Sequence, residues 1–190
     1  MKKLKINEIV FIAVVSAAMG VFWWSYTFLY DIFKPFLKPL MLENLLSGIW
    51  LLGALFFPFI IRKPGSAMLG ELIAAFVQGF IARWGITSLI WGFFQALPVE
   101  IFFLLLHYKK WNIKTMLFAG FLSGSASYFL SFFWDKWYLM NNPKYLVVQF
   151  IAFSLSGILL GGLLSYILAN TLKSSGIFNQ FEIVRSELNE

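Results

Sequence analysis

Residues 65–106 read GSAMLGELIAAFVQGFIARWGITSLIWGFFQALPVEIFFLLL. Only Glu71, Arg83 and Glu100 are charged in this stretch, and Arg83 stands near its middle, beside Trp84 and Gly85. A helix needs about 20 consecutive apolar residues to cross a hydrocarbon core. The stretch therefore holds two spans, 65–82 and 84–106, folded back on each other near Gly85. Uniformly apolar runs of this length exclude the alternating strands of a membrane barrel.

Four more runs of the same kind flank the hairpin, at residues 9–30, 45–61, 115–134 and 145–172. The fold class is an all-α, six-helix membrane bundle over residues 1–173. The remainder, 174–190, is polar and is expected to be a cytoplasmic helix or a disordered tail. Composition agrees: 60% of the chain is apolar, and 23 Phe, 8 Trp and 7 Tyr outnumber 15 basic and 9 acidic side chains. One soluble core of 190 residues has no room for so much apolar surface. With no Cys, a disulfide scaffold is excluded. Lys2, Lys3 and Lys5 before the first span give it the look of a signal peptide, but its length and the five spans behind it favour an uncleaved helix.

The basic residues orient the bundle. With the N-terminus inside, Lys2, Lys3, Lys5, Arg62, Lys63, Lys109, Lys110, Lys114, Lys173 and Arg185 are inner, and Lys34, Lys38, Arg83, Lys136 and Lys144 are outer. An excess of Lys and Arg on the inner side is the rule for a plasma-membrane protein, and an even number of spans puts both termini in the cytoplasm. The net charge of +6 is thus mostly topology, and no basic stripe interleaved with aromatics points to nucleic acid. The inner loops are short. The outer segments 31–44 and 135–144 are longer and carry aromatics, so they read as interfacial anchors or lids.

The chemistry available is limited. No Gly-x-x-x-x-Gly-Lys-Ser/Thr loop, His-Glu-x-x-His or Gly-x-Ser-x-Gly motif is present, and the one His, His107, lies at an inner helix end. No catalytic constellation and no cofactor motif follow. What remains is a set of polar residues inside the spans, where a carboxyl group is costly and marks function by default. In the hairpin, residues at equal depth have nearly constant index sums. Gln78 therefore lies level with Gln95, and Glu71 near the level of Glu100, one layer deeper. Glu71 and Gln78 are seven apart and share a helical stripe, as Trp91 and Gln95 do at a spacing of four. Glu100 lies about 140° round from Gln95 on an ideal helix.

The aromatics are one-sided. Trp23, Trp24, Trp50, Trp84, Trp91, Trp134 and Trp137 fall in the outer half and only Trp111 is inner, whereas ordinary belts decorate both interfaces. Some of them, Trp50, Trp91 and Trp134 foremost, are candidates to wall an outward cavity. Rings there stack on planar ligands and hold cations over their faces. Asp31, Glu43 and Asp135 lie on the same side and would attract a cation. Ser123, Gly124, Ser125, Ala126 and Ser127, and the Gly157/Gly161 pair, are close-packing patches. Ala13, Ala17 and Gly20 make a small-residue stripe that fits either internal packing or a partner's helices.

Three stretches resemble the YkoE family, the substrate-binding (S) components of energy-coupling-factor (ECF) vitamin transporters. They are Gly48-Ile49-Trp50, the run Ile61-Arg62-Lys63-Pro64-Gly65-Ser66-Ala67, and Gly70-Glu71-Leu72-Ile73-Ala74-Ala75. Gln95-Ala96-Leu97-Pro98-Val99-Glu100 is similar to the family's Gln-Gly-x-x-x-Glu run, and Ser156-Gly157 to its last helix. The resemblance implies a six-helix S component and thiamine or its hydroxymethylpyrimidine half as ligand. It also implies an energizing module of one transmembrane (T) protein and two ATPase subunits. Glu71, Gln95, Glu100 and Trp50 match the family pattern as substrate-binding positions, while Gln78 keeps the place of an acid. Two other classes stay open from the residues alone: an intramembrane enzyme on lipid-linked substrates, and a structural membrane protein whose polar residues are bundle glue.

Overall fold

The computed structural model describes residues 3–185. Among them every regular element is helical: α1 (Ile6–Leu37), α2 (Leu52–Ile61), α3 (Ser66–Ile81), α4 (Thr87–Leu105), α5 (Ile113–Trp134), α6 (Pro143–Ser156), α7 (Leu164–Lys173) and the short α8 (Glu182–Arg185). A 3-10 segment, Glu43–Leu51, runs straight into α2, and a π-helical segment, Gly157–Leu163, joins α6 to α7. Five stretches are long and apolar enough to cross a membrane: Ile6–Leu40, Glu43–Ile61, Thr87–Leu105, Ile113–Trp134 and Pro143–Lys173. The chain is a multi-pass membrane protein. The sixth expected span, α3, is apolar but only 16 residues long, about 24 Å at 1.5 Å per residue.

α2 is the axis of the bundle. All ten of its residues are buried, as expected of a helix that is apolar all round. α3 packs on α2 and lies between α1 and α4, while α5 bridges α4 to the α6–π–α7 unit. Small residues allow the tightest of these approaches. Gly120 and Gly124 of α5 meet the backbone of Phe153 and Gly157, where an added methyl group has no room. The glycine and serine patches of α5 and the π-helical segment are therefore internal.

The end of the bundle that holds the N-terminus is locked by buried charges. Glu8 accepts from the Lys5 N–H at 2.7 Å, capping α1, and its other oxygen pairs with Lys63 Nζ at 2.5 Å; both side chains are buried. Arg62 and Gly65 take left-handed φ values of 55° and 86° to turn α2 into α3. The Gly65, Ala67 and Met68 N–H groups all donate to Glu100, and so does the Tyr108 hydroxyl. Glu100 thus satisfies the N-terminal amides of α3 from across the interface, where the helix dipole favours an anion.

Four expectations are corrected here. Glu100 faces the start of α3, so its carboxyl is a helix cap. Gly20 packs against α3, where an added Cβ would stand 2.5 Å from the Ala74 carbonyl, so a partner cannot use that end of the stripe; Ala13 and Ala17 are half-buried beside it. The outer segment 31–44 is mostly helical, because α1 runs on through Pro35 to Leu37. Finally, residues 175–185 return to the bundle: Phe178, Phe181 and Ile183 are buried, and both phenyl rings pack on Phe11, one of them also on Phe56; the rest of the expected tail, 186–190, lies outside the described residues. The apolar residues at 178, 181 and 183 outweigh the polar ones around them.

Candidate binding cavity

At the end opposite the N-terminus the helices part around a cavity of about 440 Å³, within the usual range for a small-molecule site. α1, the 3-10 segment, α3, α4, α5 and α6 all contribute. α1 gives Trp23, Tyr30 and Lys34; the 3-10 segment gives Glu43, Asn44, Ser47 and Trp50; α3 gives Glu71, Ala75 and Gln78. The α3–α4 turn and α4 give Trp84, Thr87, Ser88, Trp91 and Gln95, and Ser131, Trp134, Asp135, Trp137, Tyr145 and Phe153 close the far side. Six of the seven candidate substrate-binding residues, Trp50, Glu71, Gln78, Trp91, Gln95 and Trp134, share this cavity; Glu100 does not.

The backbone explains the lining. A 3-10 helix repeats every three residues, so side chains at i and i+3 eclipse. Asn44, Ser47 and Trp50 therefore form one row into the cavity. The segment is pinned where Gly48 N–H donates to Ser156 Oγ at 2.6 Å. α3 and α4 meet at the Gly85 turn (φ 58°), and Ser88 Oγ donates to the Ala75 carbonyl at 2.8 Å. That contact sets the two helices in register and brings Gln78 and Gln95 to the same cavity.

At the base, the Glu71 side chain is wholly buried. Its Oε2 accepts from the Ala54 N–H at 2.6 Å, and Gly53 leaves the space for it: a Cβ there would lie 2.7 Å from the same oxygen. Glu71 Oε1 has no partner. Gln78 spends an amide N–H on Thr27 Oγ1 at 3.4 Å and Gln95 one on Ser127 Oγ at 3.2 Å. Ser123 Oγ donates to the Gln95 carbonyl at 2.8 Å and holds that turn of α4 on α5.

Among the described residues six buried side-chain polar atoms lack a hydrogen bond, and four of them belong to cavity residues: Glu71 Oε1, Glu43 Oε2, Trp23 Nε1 and Trp50 Nε1. Buried polar atoms are nearly always paired in folded proteins. Two acceptors and two donors thus stand unpaired in one cavity. Trp50 is fixed by T-shaped contacts with Tyr26 and Tyr30, at 5.2 and 5.0 Å between centroids. At the mouth, burial raises the Asp135 carboxyl above the usual range, opposed by Lys34.

Comparison with known proteins fits this geometry. A family model described as "ABC-type cobalt transport system, permease component" matches residues 7–126. A Bacillus subtilis (strain 168) protein, provisionally named HMP/thiamine permease protein YkoE, is 30% identical over 180 residues, covering 94% of this chain and 89% of that one. The chain belongs to the YkoE family. A crystal structure described as that of an S-component of an ECF transporter superposes with a TM-score of 0.90 at 26% identity, covering 98% of this chain and 94% of the other. The YkoE-family resemblance carried by the Arg62–Lys63–Pro64–Gly65 block thus has a structural meaning. That block holds the buried Glu8–Lys63 pair and the left-handed turn into α3.

Sequence reasoning gave Trp23 and Glu43 only as members of the outer aromatic and acidic sets, and left out Tyr30, Asn44 and Ser47. The period-three spacing of Asn44, Ser47 and Trp50 was a usable signal for the last two. For Trp23 the signal was its four-residue spacing from Thr27, on the buried face of α1.

Proposed function

We propose that this chain is the substrate-binding subunit of an ECF-type uptake transporter, with thiamine or its hydroxymethylpyrimidine precursor as ligand. The observation that carries the reading is the set of four unpaired buried polar atoms inside an aromatic-walled cavity. Trp residues offer planar faces for an aromatic heterocycle. The amides of Gln78 and Gln95 both donate and accept, as an aminopyrimidine requires, and Glu71 Oε1 accepts from its exocyclic amine. No bond is made or broken; the chain binds and delivers. The likeness to a permease and to an S-component supports transport over enzymatic chemistry. Cobalt, named in the family description, finds no cluster of three or more His, Cys, Asp or Glu among the described residues.

In this reading six spans cross the plasma membrane, α3 being the short one, with both termini cytoplasmic and the cavity facing out. A T component and two ATPase subunits supply the energy, and Ala13 and Ala17 on α1 are where the T component's helices approach. The test is calorimetric titration of the purified full chain with thiamine, hydroxymethylpyrimidine, riboflavin and biotin. Binding of either of the first two, with neither of the others, is the expected result. Binding of none of them, or of riboflavin or biotin alone, would overturn the reading.

A further inference from the structure

A second carboxyl group shares the cavity with Glu71 but stands at its mouth. Glu43 opens the 3-10 segment and is only 5% exposed. Its Oε1 accepts from the Tyr145 hydroxyl at 2.9 Å, while Oε2 is buried without a partner. Glu71 is bonded to Ala54, and between Glu43 and Ala54 lie the 3-10 segment and the first turn of α2. At rises of about 2.0 and 1.5 Å per residue, this is roughly 20 Å of backbone. The two carboxyls are therefore separate stations at opposite ends of one cavity.

The mouth station is firmly built. Beside it, Asn44 accepts from the Tyr30 hydroxyl at 3.2 Å and donates to Gln149 at 2.8 Å, and Gln149 in turn donates to the Met41 carbonyl at 3.3 Å. This network ties α1, the 3-10 segment and α6 together around Glu43. Of the two lysines that line the cavity, Lys34 and Lys38, the first is directed away from Glu43. Lys34 lies over the Tyr30 ring, 5.6 Å from its centroid, and its charge acts on Asp135. The Glu8–Lys63 and Asp31–Arg83 ion pairs do not involve Glu43. The cavity lining around it includes the rings of Tyr30, Trp50 and Tyr145. A buried carboxyl with a free oxygen, set among aromatic rings, is the pairing that recognises an organic cation.

Resting on the uptake reading above, we propose that Glu43, positioned by Tyr145, forms an outer subsite for the positive charge of an organic cation, separate from the deep polar layer of Glu71, Gln78 and Gln95. A ligand with a charged ring, anchored at the Gln78–Gln95 level, holds that charge toward Glu43; an uncharged heterocycle makes no use of the mouth station. The two vitamin-related ligands differ in this respect, since thiamine carries a thiazolium cation and hydroxymethylpyrimidine is neutral at mildly alkaline pH.

The experiment measures both affinities on the full chain, for wild type, Glu43→Gln and Glu43→Asp. Glu43→Gln is expected to weaken thiamine about tenfold or more, about 1.4 kcal/mol, and to leave hydroxymethylpyrimidine nearly unchanged, whereas Glu43→Asp keeps the discrimination. An equal loss for both ligands, or no loss for thiamine, overturns the assignment. Wild-type protein supplies a second measurement that needs no variant to fold. Tetramethylammonium should compete with thiamine and not with hydroxymethylpyrimidine; competition with both or with neither also overturns it. Wild-type protein that binds neither vitamin ligand refutes the uptake reading itself, a result distinct from lost discrimination.

Discussion

Replacing Glu71 by Gln separates a ligand-facing role from a scaffolding one. The Ala54 N–H, 2.6 Å from Oε2, still needs an acceptor, so the new side chain turns its amide oxygen to Ala54 and its NH2 into the cavity. The hydrogen bond from Ala54 is kept, with an amide oxygen in place of the carboxyl oxygen. The net change in stability is small, and the melting temperature should move by no more than about 2–4 °C. Binding changes more, because the atom that meets the ligand's amine becomes a donor. Two donors facing each other leave one unsatisfied, at about 1–3 kcal/mol, which is roughly five- to hundredfold in Kd. Thiamine and hydroxymethylpyrimidine should both lose affinity, since both carry the aminopyrimidine. Gly53→Ala should reproduce the loss without altering the chemistry, because its Cβ would lie 2.7 Å from Oε2 and 3.0 Å from the Glu71 Cα. Titration calorimetry and thermal unfolding on the same samples give both numbers. Unchanged affinity, or a loss that only accompanies a collapse in melting temperature, would refute a ligand contact at Glu71.

Three further outcomes test other parts of the structure. Lys63→Ala leaves the Glu8 carboxyl buried and unpaired, at about 3–5 kcal/mol; thermal unfolding should register it as a drop of about 10 °C with Kd unchanged. Truncation after Ser174 removes Phe178, Phe181 and Ile183 from the core, and at about 3–5 kcal/mol per buried phenyl group the truncated chain should be recovered poorly and melt far below the full one. Topology reporters fused at residue 190 and inserted in 135–144 should report opposite sides of the membrane; the same side for both would refute an even number of spans.

How far the site was legible in the sequence depended on helix type. The α3–α4 hairpin obeys ideal α geometry, so index sums placed Glu71, Gln78 and Gln95 correctly in one cavity. The same sums put Glu100 near the level of Glu71, and only helical phase kept it away. The 140° between Gln95 and Glu100 turns its carboxyl to the start of α3. The row Asn44–Ser47–Trp50 was obscured because apolar periodicity in 45–61 reads as one α-helix, whereas its first half is wound with three residues per turn. Phe178 and Phe181 were obscured by the polar residues around them, since local composition cannot reveal a docking face supplied by helices some 120 to 170 residues earlier.

That docking face has a consequence for how the chain is made. Phe11, Phe56 and Phe57 belong to the first third of the protein, yet the rings that cover Phe11 and Phe56 lie at positions 178 and 181. During synthesis the first two helices are made with that face uncovered, and it stays so until residues 178–181 have followed. Completion of the bundle therefore waits on Phe178 and Phe181, and a nascent chain stalled anywhere before Phe178 carries an open seam that quality-control proteases can read as unfinished.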